Sequence, residues 1–233
     1  MKKKTKNSEF EHFSTLANDW WSKNGKFKIL HDIQLVRMEY IKQLINKKKL
    51  NNIKILDVGC GGGLISEGLT KIGADVTGID FIKENISVAK MHAKKNKLKI
   101  NYFTKDFEKE KITSKYDAII ILEVLEHLND WSAFIKKIRL NLKKNGVLII
   151  STINRNLISK FLTIDIGENL LKIIPINTHS FYKFIKPKEL EYVLLDSNFK
   201  NIRFKGLTKD LLKMKWKLSD NTKINYFCSC TLN

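Results

Sequence analysis

A glycine cluster directly after an apolar run constrains this chain most. The sequence from Ile55 to Leu69 reads ILDVGCGGGLISEGL, and four of the 11 glycines lie at positions 59, 61, 62 and 63. The apolar run predicts a strand and the stretch that follows predicts a helix. Because glycine has no Cβ, the main chain at this turn can adopt positive φ and approach a ligand closely. The helix that begins near Leu64 adds N–H groups without helical partners and the positive end of its dipole.

Short apolar runs alternate with helical patterns from residue 53 onward. The predicted strands are IKILDV, ADVTGID, KINYFT, YDAIIIL and GVLIIST, and the predicted helices include GLISEGLTKIG, ENISVAKMHAKKN and WSAFIKKIRLNLK. Strands that are apolar along their whole length are typical of a parallel sheet covered on both faces. Two further strand patterns, FKNIRFKGL and KINYFCSCTL, can pair with each other near the end of the chain. We therefore predict an α/β fold with a doubly wound, mostly parallel sheet of seven strands and helices on both faces.

The 233 residues suit one domain with additions. Residues 1–49 are predicted to form a tail and N-terminal helices that cover the active site, and residues 50–233 the main domain. An insert at 155–185, after the fifth strand, carries apolar residues at helical spacing and is predicted to be a lid or a membrane-interface segment. Trp20 and Trp21 are predicted to close the site from the N-terminal side, although core packing explains them equally well.

The net charge of +19 is compatible with a nucleic-acid or an anionic-membrane partner. The lysines are spread over nearly every segment, so amino-acid composition explains most of this charge. The three cysteines have no metal-type spacing and predict a reduced, cytosolic compartment. The sequence has neither a signal-peptide pattern nor an apolar run of about 20 residues, which argues against secretion and against a membrane span.

Acidic residues at three strand ends restrict the ligand. Asp57 precedes Gly59 by two residues, where a carboxylate would repel a pyrophosphate and suits a cationic or amine-bearing ligand. A dinucleotide motif would require its third glycine at Leu64, and the lysine of a P-loop is absent. Asp80, at the end of the second strand, can accept both hydroxyls of a ribose. Asp106, after the third strand, can accept from an adenine amino group or can be a solvated loop residue.

This constellation resembles the class I S-adenosylmethionine-dependent methyltransferases, which implies a Rossmann-like sheet. The segments FSTLANDWWSKNGKFKILHDIQLVRMEYI, LDVGCGGGLISE, EVLEHL, STINRN and THSFYKFIKP are similar to the ubiquinone-biosynthesis O-methyltransferases, and the resemblance extends from Phe10 to Tyr226. It implies an enzyme that uses S-adenosylmethionine to methylate phenolic hydroxyls of polyprenylated intermediates. These are 2-polyprenyl-6-hydroxyphenol and 3-demethylubiquinol, the latter giving ubiquinol.

The resemblance also implies the residues that bind the methyl donor. The expected contacts are Arg37, Gly59, Asp80 and Leu122, to which the acids and glycines of the strand ends add Asp57, Gly61 and Asp106. Arg37 can donate to the methionine carboxylate, although a surface arginine is the alternative. Leu122, at the end of the fourth strand, is expected to contact the donor mainly through its main chain.

The segment LEVLEHL follows the fourth strand and carries the predicted reaction centre. Glu123, Glu126 and His127 are spaced so that a helical turn would bring them to one side. In one interpretation His127 is the general base for the phenolic proton and a glutamate orients it. In a second, the three residues bind a divalent metal ion that lowers the pKa of the phenol. In a third, Glu126 and His127 only cap the helix start.

The resemblance and the charge together predict a cytoplasmic protein that binds peripherally to the inner membrane. Expected partners are the polyprenylated substrate and anionic lipid, and other ubiquinone-biosynthesis enzymes are candidates. No nucleic-acid partner is expected, because no RNA-binding module or basic aromatic strand face is visible. Two alternatives stay open: a methyltransferase for RNA or another small molecule, and a non-catalytic module that binds S-adenosylmethionine. A complete set of Glu123, Glu126 and His127 argues against the second.

Overall fold

The computed structural model describes residues 14–45, 50–163, 180–210 and 215–233. The apolar positions Phe10 and Phe13 of the first helical pattern lie outside the described residues, as does the part of the insert at 164–179.

One sheet with eight strands in the described residues organises the chain. The strands are β1 Lys54–Val58, β2 Asp75–Asp80, β3 Asn101–Thr104, β4 Tyr116–Leu122, β5 Leu142–Ile153, β6 Phe199–Asp210, β7 Lys215–Ser219 and β8 Asn225–Leu232. Their order across the sheet is β3-β2-β1-β4-β5-β8-β6-β7. Neighbouring strands from β3 to β5 are parallel, whereas β8 is antiparallel to both β5 and β6, and β7 is antiparallel to β6. The order reverses at β1, so the carboxyl ends of β1 and β4 flank the crevice where ligands bind in such sheets.

The helices join the strands in the predicted alternation. They are α1 Lys28–Ile45, α2 Leu64–Lys71, α3 Lys83–Lys95, α4 Trp131–Ile138, α5 Leu157–Lys160 and α6 Pro187–Asp196. Short 3₁₀ turns lie at Ala17–Asp19, Leu125–His127, Arg139–Asn141 and Phe181–Lys183. Pro187 begins α6, where its fixed φ suits the first helical turn and its missing N–H costs no hydrogen bond.

Alternate residues of the central strands enter two different cores. Leu56 and Val58 pack with α4 and α6 on one face, whereas Ile55 packs with α1 and α2 on the other. In β4, Ile119 and Ile121 belong to the core with α4 and α6, whereas Ala118 and Ile120 belong to the core with α1 and α2. Both faces of these strands are therefore buried, as their continuous apolar sequences predicted.

The sequence-based fold prediction was correct in class and wrong by one strand. The pairing of β6 with β8 was expected, but β7 was not, so the sheet has eight strands instead of seven. Strand β7 is the last strand in the order, and lysines alternate with Trp216 and Leu218 along it. An edge strand needs little apolar surface, and lysine is common there, so the segment lacked the apolar run that identified the others. The described helices include none that is long and apolar enough to cross a membrane.

Candidate active site

The glycine turn after β1 has the backbone conformation that its sequence predicted. Gly59, Gly61 and Gly63 have φ of 68°, 53° and 88°, values that other residues rarely adopt. The N–H groups of Gly59 and Cys60 both donate to the Ile79 carbonyl, at 2.8 and 3.0 Å. These two bonds fix the turn to the end of β2.

Close approach to the glycines involves protein side chains, which sequence reasoning did not foresee. A Cβ at Gly59 would lie 2.4 Å from Val124 Cγ2, and one at Gly61 would lie 2.2 Å from Trp20 Cζ2. A Cβ at Gly62 would lie 2.4 Å from Trp20 Cγ. The cluster therefore provides room for Val124 and for the Trp20 indole, in addition to the main-chain surface that faces the cavity.

Asp80 ties the glycine turn to the start of α3. Its Oδ2 accepts from the Gly61 N–H at 2.9 Å and its Oδ1 accepts from the Ile82 N–H at 2.8 Å. Burial raises the pKa of Asp80 to about 6, against the opposing effect of these hydrogen bonds. Asn85 Nδ2 lies 3.5 Å from Oδ1 as a second donor, so it is Oδ2 that keeps a lone pair for an incoming hydroxyl group.

Asp57 is buried next to the turn and accepts from Ser66 Oγ at 2.5 Å. Burial raises its pKa to about 6 as well, and the nearby Asp80 carboxylate adds to this shift. Asp106 has a different environment, because it is half-buried and its Oδ1 accepts from the Glu108 N–H at 3.2 Å in the turn after β3. The first two acids thus form a buried negative pair, and Asp106 extends the acidic lining to the end of β3.

Arg37 and Glu123 form an ion pair between α1 and the end of β4. Arg37 Nη2 donates to Glu123 Oε1 at 2.8 Å, and Ser151 Oγ of β5 donates to the same oxygen at 2.7 Å. Burial lowers the pKa of Arg37, and Glu123 opposes that effect. The Nε of Arg37 is shielded from solvent and has no hydrogen-bond partner in the described part of the chain. Glu123 has φ of 55°, so the chain turns sharply where β4 ends.

The three residues of the predicted reaction centre have different surroundings. Glu126 is buried and accepts from Thr152 Oγ1 at 2.8 Å, and burial, then the Glu123 charge, raises its pKa well above the usual range. His127 is half-buried and lines the cavity, whereas Glu126 does not. The residues lie on a 3₁₀ turn instead of an α-helix, so neighbouring side chains on it diverge by about 120°. Glu123 lines the cavity together with His127, and Glu126 is buried next to Glu123.

The hydrogen-bond partners of the two glutamates affect the prediction that Glu123, Glu126 and His127 bind a metal ion. Among the residues that the structure describes, no group of three or more His, Cys, Asp or Glu side chains is arranged to hold a metal ion. Glu126 turns toward Thr152, and Glu123 turns toward Arg37 and Ser151. The proposed set of Glu123, Glu126 and His127 therefore does not fit a divalent metal in this arrangement.

One cavity of about 510 Å³ joins nine of the ten predicted site residues, a volume in the usual range for small-molecule sites. It is lined by Arg37, Asp57, Gly59, Gly61, Asp80, Asp106, Leu122, Glu123 and His127. The acids and glycines lie at the ends of β1 to β3, and Glu123 and His127 follow β4. The cavity thus brings the acid-lined glycine turn and His127 into one space.

Several cavity residues were missed by sequence reasoning. Ile153, Trp216, Ile224 and Asn225 line it from β5, β7 and the start of β8. Leu162, which also lines it, belongs to the insert that was predicted as a lid or a membrane-interface segment. Alternation of Trp216 and Leu218 with lysines was a usable signal for β7. No sequence signal indicated that Asn225 lines the cavity. Asn225 reaches it because β8 pairs with β5 in the sheet.

Comparisons with known proteins agree with this geometry. Residues 29–232 match the family model described as a methyltransferase domain. The ubiquinone biosynthesis O-methyltransferase of Pelagibacter ubique is 45% identical over 226 residues, covering 94% of both chains. The protein of the same name from Rickettsia canadensis is 43% identical over 221 residues, also covering 94% of both.

A solved structure supports the fold. Magnesium protoporphyrin IX methyltransferase from Synechocystis PCC 6803, solved with bound SAH, superposes with a TM-score of 0.70 at 20% identity. The superposition covers 98% of this chain and all of that one. The family model and the sequence relatives show that the chain is a methyltransferase and belongs to the ubiquinone biosynthesis O-methyltransferases.

Proposed function

We propose that this chain transfers a methyl group from S-adenosylmethionine to a phenolic hydroxyl of polyprenylated catechol and quinol intermediates, 2-polyprenyl-6-hydroxyphenol and 3-demethylubiquinol. The observation that carries the proposal is the single cavity in which the acid-lined glycine turn meets His127. When bound, S-adenosylmethionine supplies a methyl group on a positively charged sulfur.

The residues of the glycine turn fit this donor. Asp80 is fixed by two backbone N–H groups and by Asn85, and its Oδ2 retains a lone pair for a ribose hydroxyl. The unpartnered Nε of Arg37 fits a carboxylate acceptor such as that of the methionine moiety. Asp57 and Asp80 add buried negative charge near the cationic sulfur.

His127 is assigned the proton transfer because it is the imidazole that lines the cavity next to the donor site. It accepts the phenolic proton as the oxygen forms its bond to the methyl carbon. The electron pair of the breaking carbon–sulfur bond stays on sulfur, and the proton remains on the imidazole until it exchanges with water. Glu123 accepts hydrogen bonds from Arg37 and Ser151 and so positions the Arg37 side chain at the cavity.

Apolar residues of the insert support membrane contact. Leu157 and Phe161 are 76% and 57% exposed, and Ile158 is also exposed. The neighbouring Leu162 lines the cavity. Exposed apolar side chains beside a site for a bilayer-resident substrate suit a peripheral position on the cytoplasmic face of the inner membrane, which the charge of +19 favours. The same segment can also cover the cavity as a lid.

Transfer of labelled methyl to a demethylated quinol with a short prenyl tail tests the proposed activity. We expect transfer at comparable rates with and without a chelator, since the described residues do not form a metal site. Bound donor without methylation of any catechol or quinol would contradict the proposed substrate class. Loss of all transfer on chelation would contradict the assignment of a metal-independent His127.

Flotation with liposomes that contain anionic lipid tests the membrane contact. The double variant L157E/F161E should lose most of its lipid association, because charge on the exposed apolar face opposes insertion. Met91→Glu is the matched control, since Met91 is 64% exposed on α3. Equal flotation of both variants and the wild type would exclude this membrane face and leave the lid.

A further inference from the structure

The segment before α1 crosses the glycine turn through two consecutive tryptophans. Trp20 lies on the main chain of Gly61 and Gly62, as the 2.2 and 2.4 Å separations from hypothetical Cβ atoms require. Its ring stacks on Phe27 with centroids 4.0 Å apart and an interplanar angle of 9°. Its Nε1 donates to Asn85 Oδ1 of α3 at 2.9 Å. The indole also lines the cavity.

Trp21 anchors the same segment outside the cavity. Its Nε1 donates to the Gly62 carbonyl at 2.9 Å, and its ring stacks on His92 with centroids 3.3 Å apart and an interplanar angle of 8°. His92 Nδ1 lies 2.7 Å from Oε1 of Glu67, a glutamate that is 1% exposed on α2. Neither Trp21 nor His92 lines the cavity, so their contacts act on the segment and not on a ligand.

A third contact closes the segment against α1. His31 Nε2 lies 2.8 Å from the Trp20 carbonyl. Trp20 is thus held through its main chain by α1, through its Nε1 by α3, and through its neighbour Trp21 by the His92–Glu67 pair. We call residues 20 and 21 with His92 and Glu67 the tryptophan clasp.

We propose that the tryptophan clasp retains the methyl donor: Trp20 contacts the bound donor, and Trp21, His92 and Glu67 are positioning residues for it. The proposal rests on the proposed function for the identity of the donor. Trp20 reaches both Gly61, whose N–H binds Asp80, and Asn85, which lies beside Asp80. An indole at this place gives the donor site an apolar wall.

The clasp predicts how the donor dissociates. A nucleoside seated between Asp80 and Trp20 leaves freely only when the segment moves away from the glycine turn, which breaks the Trp20–Asn85 and Trp21–Gly62 hydrogen bonds. Its contacts with α2 and α3 do not extend to the acceptor side of the cavity. The clasp should therefore affect donor release and leave acceptor affinity unchanged.

The release rate of labelled S-adenosylmethionine from the full chain, measured by chase and rapid filtration, tests the proposal. Trp20→Ala should release the donor about tenfold faster, as expected from loss of an aromatic contact, with an unchanged KM for the quinol. Trp216→Ala is the matched control, because Trp216 lines the same cavity from β7. It should raise the KM for the quinol and leave donor release unchanged.

The positioning role has its own test. His92→Ala should accelerate release several-fold, and His92→Phe should restore slow release because a phenyl ring retains the stack on Trp21. Wild-type release from Trp20→Ala, or equal acceleration by Trp20→Ala and Trp216→Ala, would overturn the proposal. The proposal would also be overturned if His92→Phe, in a protein with wild-type Tm, did not restore slow release of the donor. Because donor binding is the readout, absence of quinol methylation would contradict the proposed substrate and leave this result interpretable.

Discussion

The two sides of the cavity are built differently. On the donor side, at the ends of β1 and β2, Asp57 and Asp80 each have protein hydrogen-bond partners and the glycines are packed by Trp20 and Val124. On the acceptor side, apolar Ile153, Trp216 and Ile224 form the wall. Oδ1 of Asn225 there is shielded from solvent and has no partner in the described residues.

Under the proposed function, the two walls of the cavity have different roles. Preorganised polar groups bind one ligand with fixed geometry, as a donor common to many methyltransferases requires. Apolar walls from late strands and from an insert adapt to the acceptor, because loops and edges carry specificity on a common fold. Changes on the two sides should therefore separate donor affinity from turnover.

The largest expected effect is on the acceptor side. His127→Ala should lower kcat about 1000-fold, since a positioned general base contributes on that order. Its Kd for S-adenosylmethionine should stay at the wild-type value. His127→Gln controls for packing, because it fills similar space but cannot take up the proton. Full turnover in either variant would remove His127 from the mechanism and would leave the acceptor side without an identified base.

The next effect concerns the Arg37–Glu123 pair, which joins the two sides. Glu123→Gln leaves a buried guanidinium without its carboxylate and should lower the free energy of unfolding by about 3 kcal/mol. S-adenosylmethionine brings a carboxylate, so it should raise the Tm of this variant more than that of the wild type. Equal thermal shifts would show that Arg37 does not contact the donor carboxylate.

The smallest effect is a pH dependence of donor binding. The pKa of Asp80 is raised to about 6 by burial, so the carboxylate takes up a proton as the pH falls through 6 and loses its charge. Donor affinity should therefore be about tenfold weaker at pH 5 than at pH 7.5. Titrations at the two pH values measure this ratio. A pH-independent Kd would contradict a role for ionised Asp80.

The same pKa shifts make folding stability fall as the pH rises, whereas donor affinity rises. The pKa values of Asp57 and Asp80 are about 6 in the folded protein and near 4 when unfolded. The folded state thus holds more protons between pH 4 and 6, so these two groups lower stability as the pH rises through this window. A bound cation offsets that cost, which couples donor binding to the ionisation of both acids.

The sequence predicted the donor side better than the acceptor side for physical reasons. Strands β1 to β5 are buried on both faces, and their apolar runs identify them. Asp57, Asp80 and the glycines lie at the carboxyl ends of these strands. Their place in the sequence therefore puts them at the ligand-binding edge of the sheet. Strand β7 lies at the edge of the sheet and lacks the apolar run that identified the other strands, so only the alternation of Trp216 and Leu218 with lysines indicated it.

Directions of side chains were less accessible to prediction. The spacing of Glu123, Glu126 and His127 suits an α-helix, but Glu123 has positive φ and residues 125–127 form a 3₁₀ turn. Glu123 and His127 line the cavity, whereas Glu126 is buried beside Glu123 and does not line it. Likewise, Trp20 and Trp21 were predicted to close the site, but not the contact of Trp20 with Gly61 and Gly62. Contact with Trp20 depends on the path of a segment about 40 residues earlier in the chain.

Calorimetric titration of S-adenosylmethionine into the wild type and Asp80→Ala tests the central claim, that the acidic glycine turn binds the methyl donor. We predict saturable binding to the wild type and at least about 100-fold weaker binding to Asp80→Ala, because the alanine removes the ribose acceptor and frees two backbone N–H groups. Absence of binding to the wild type, or equal affinity of the two proteins, would contradict this account.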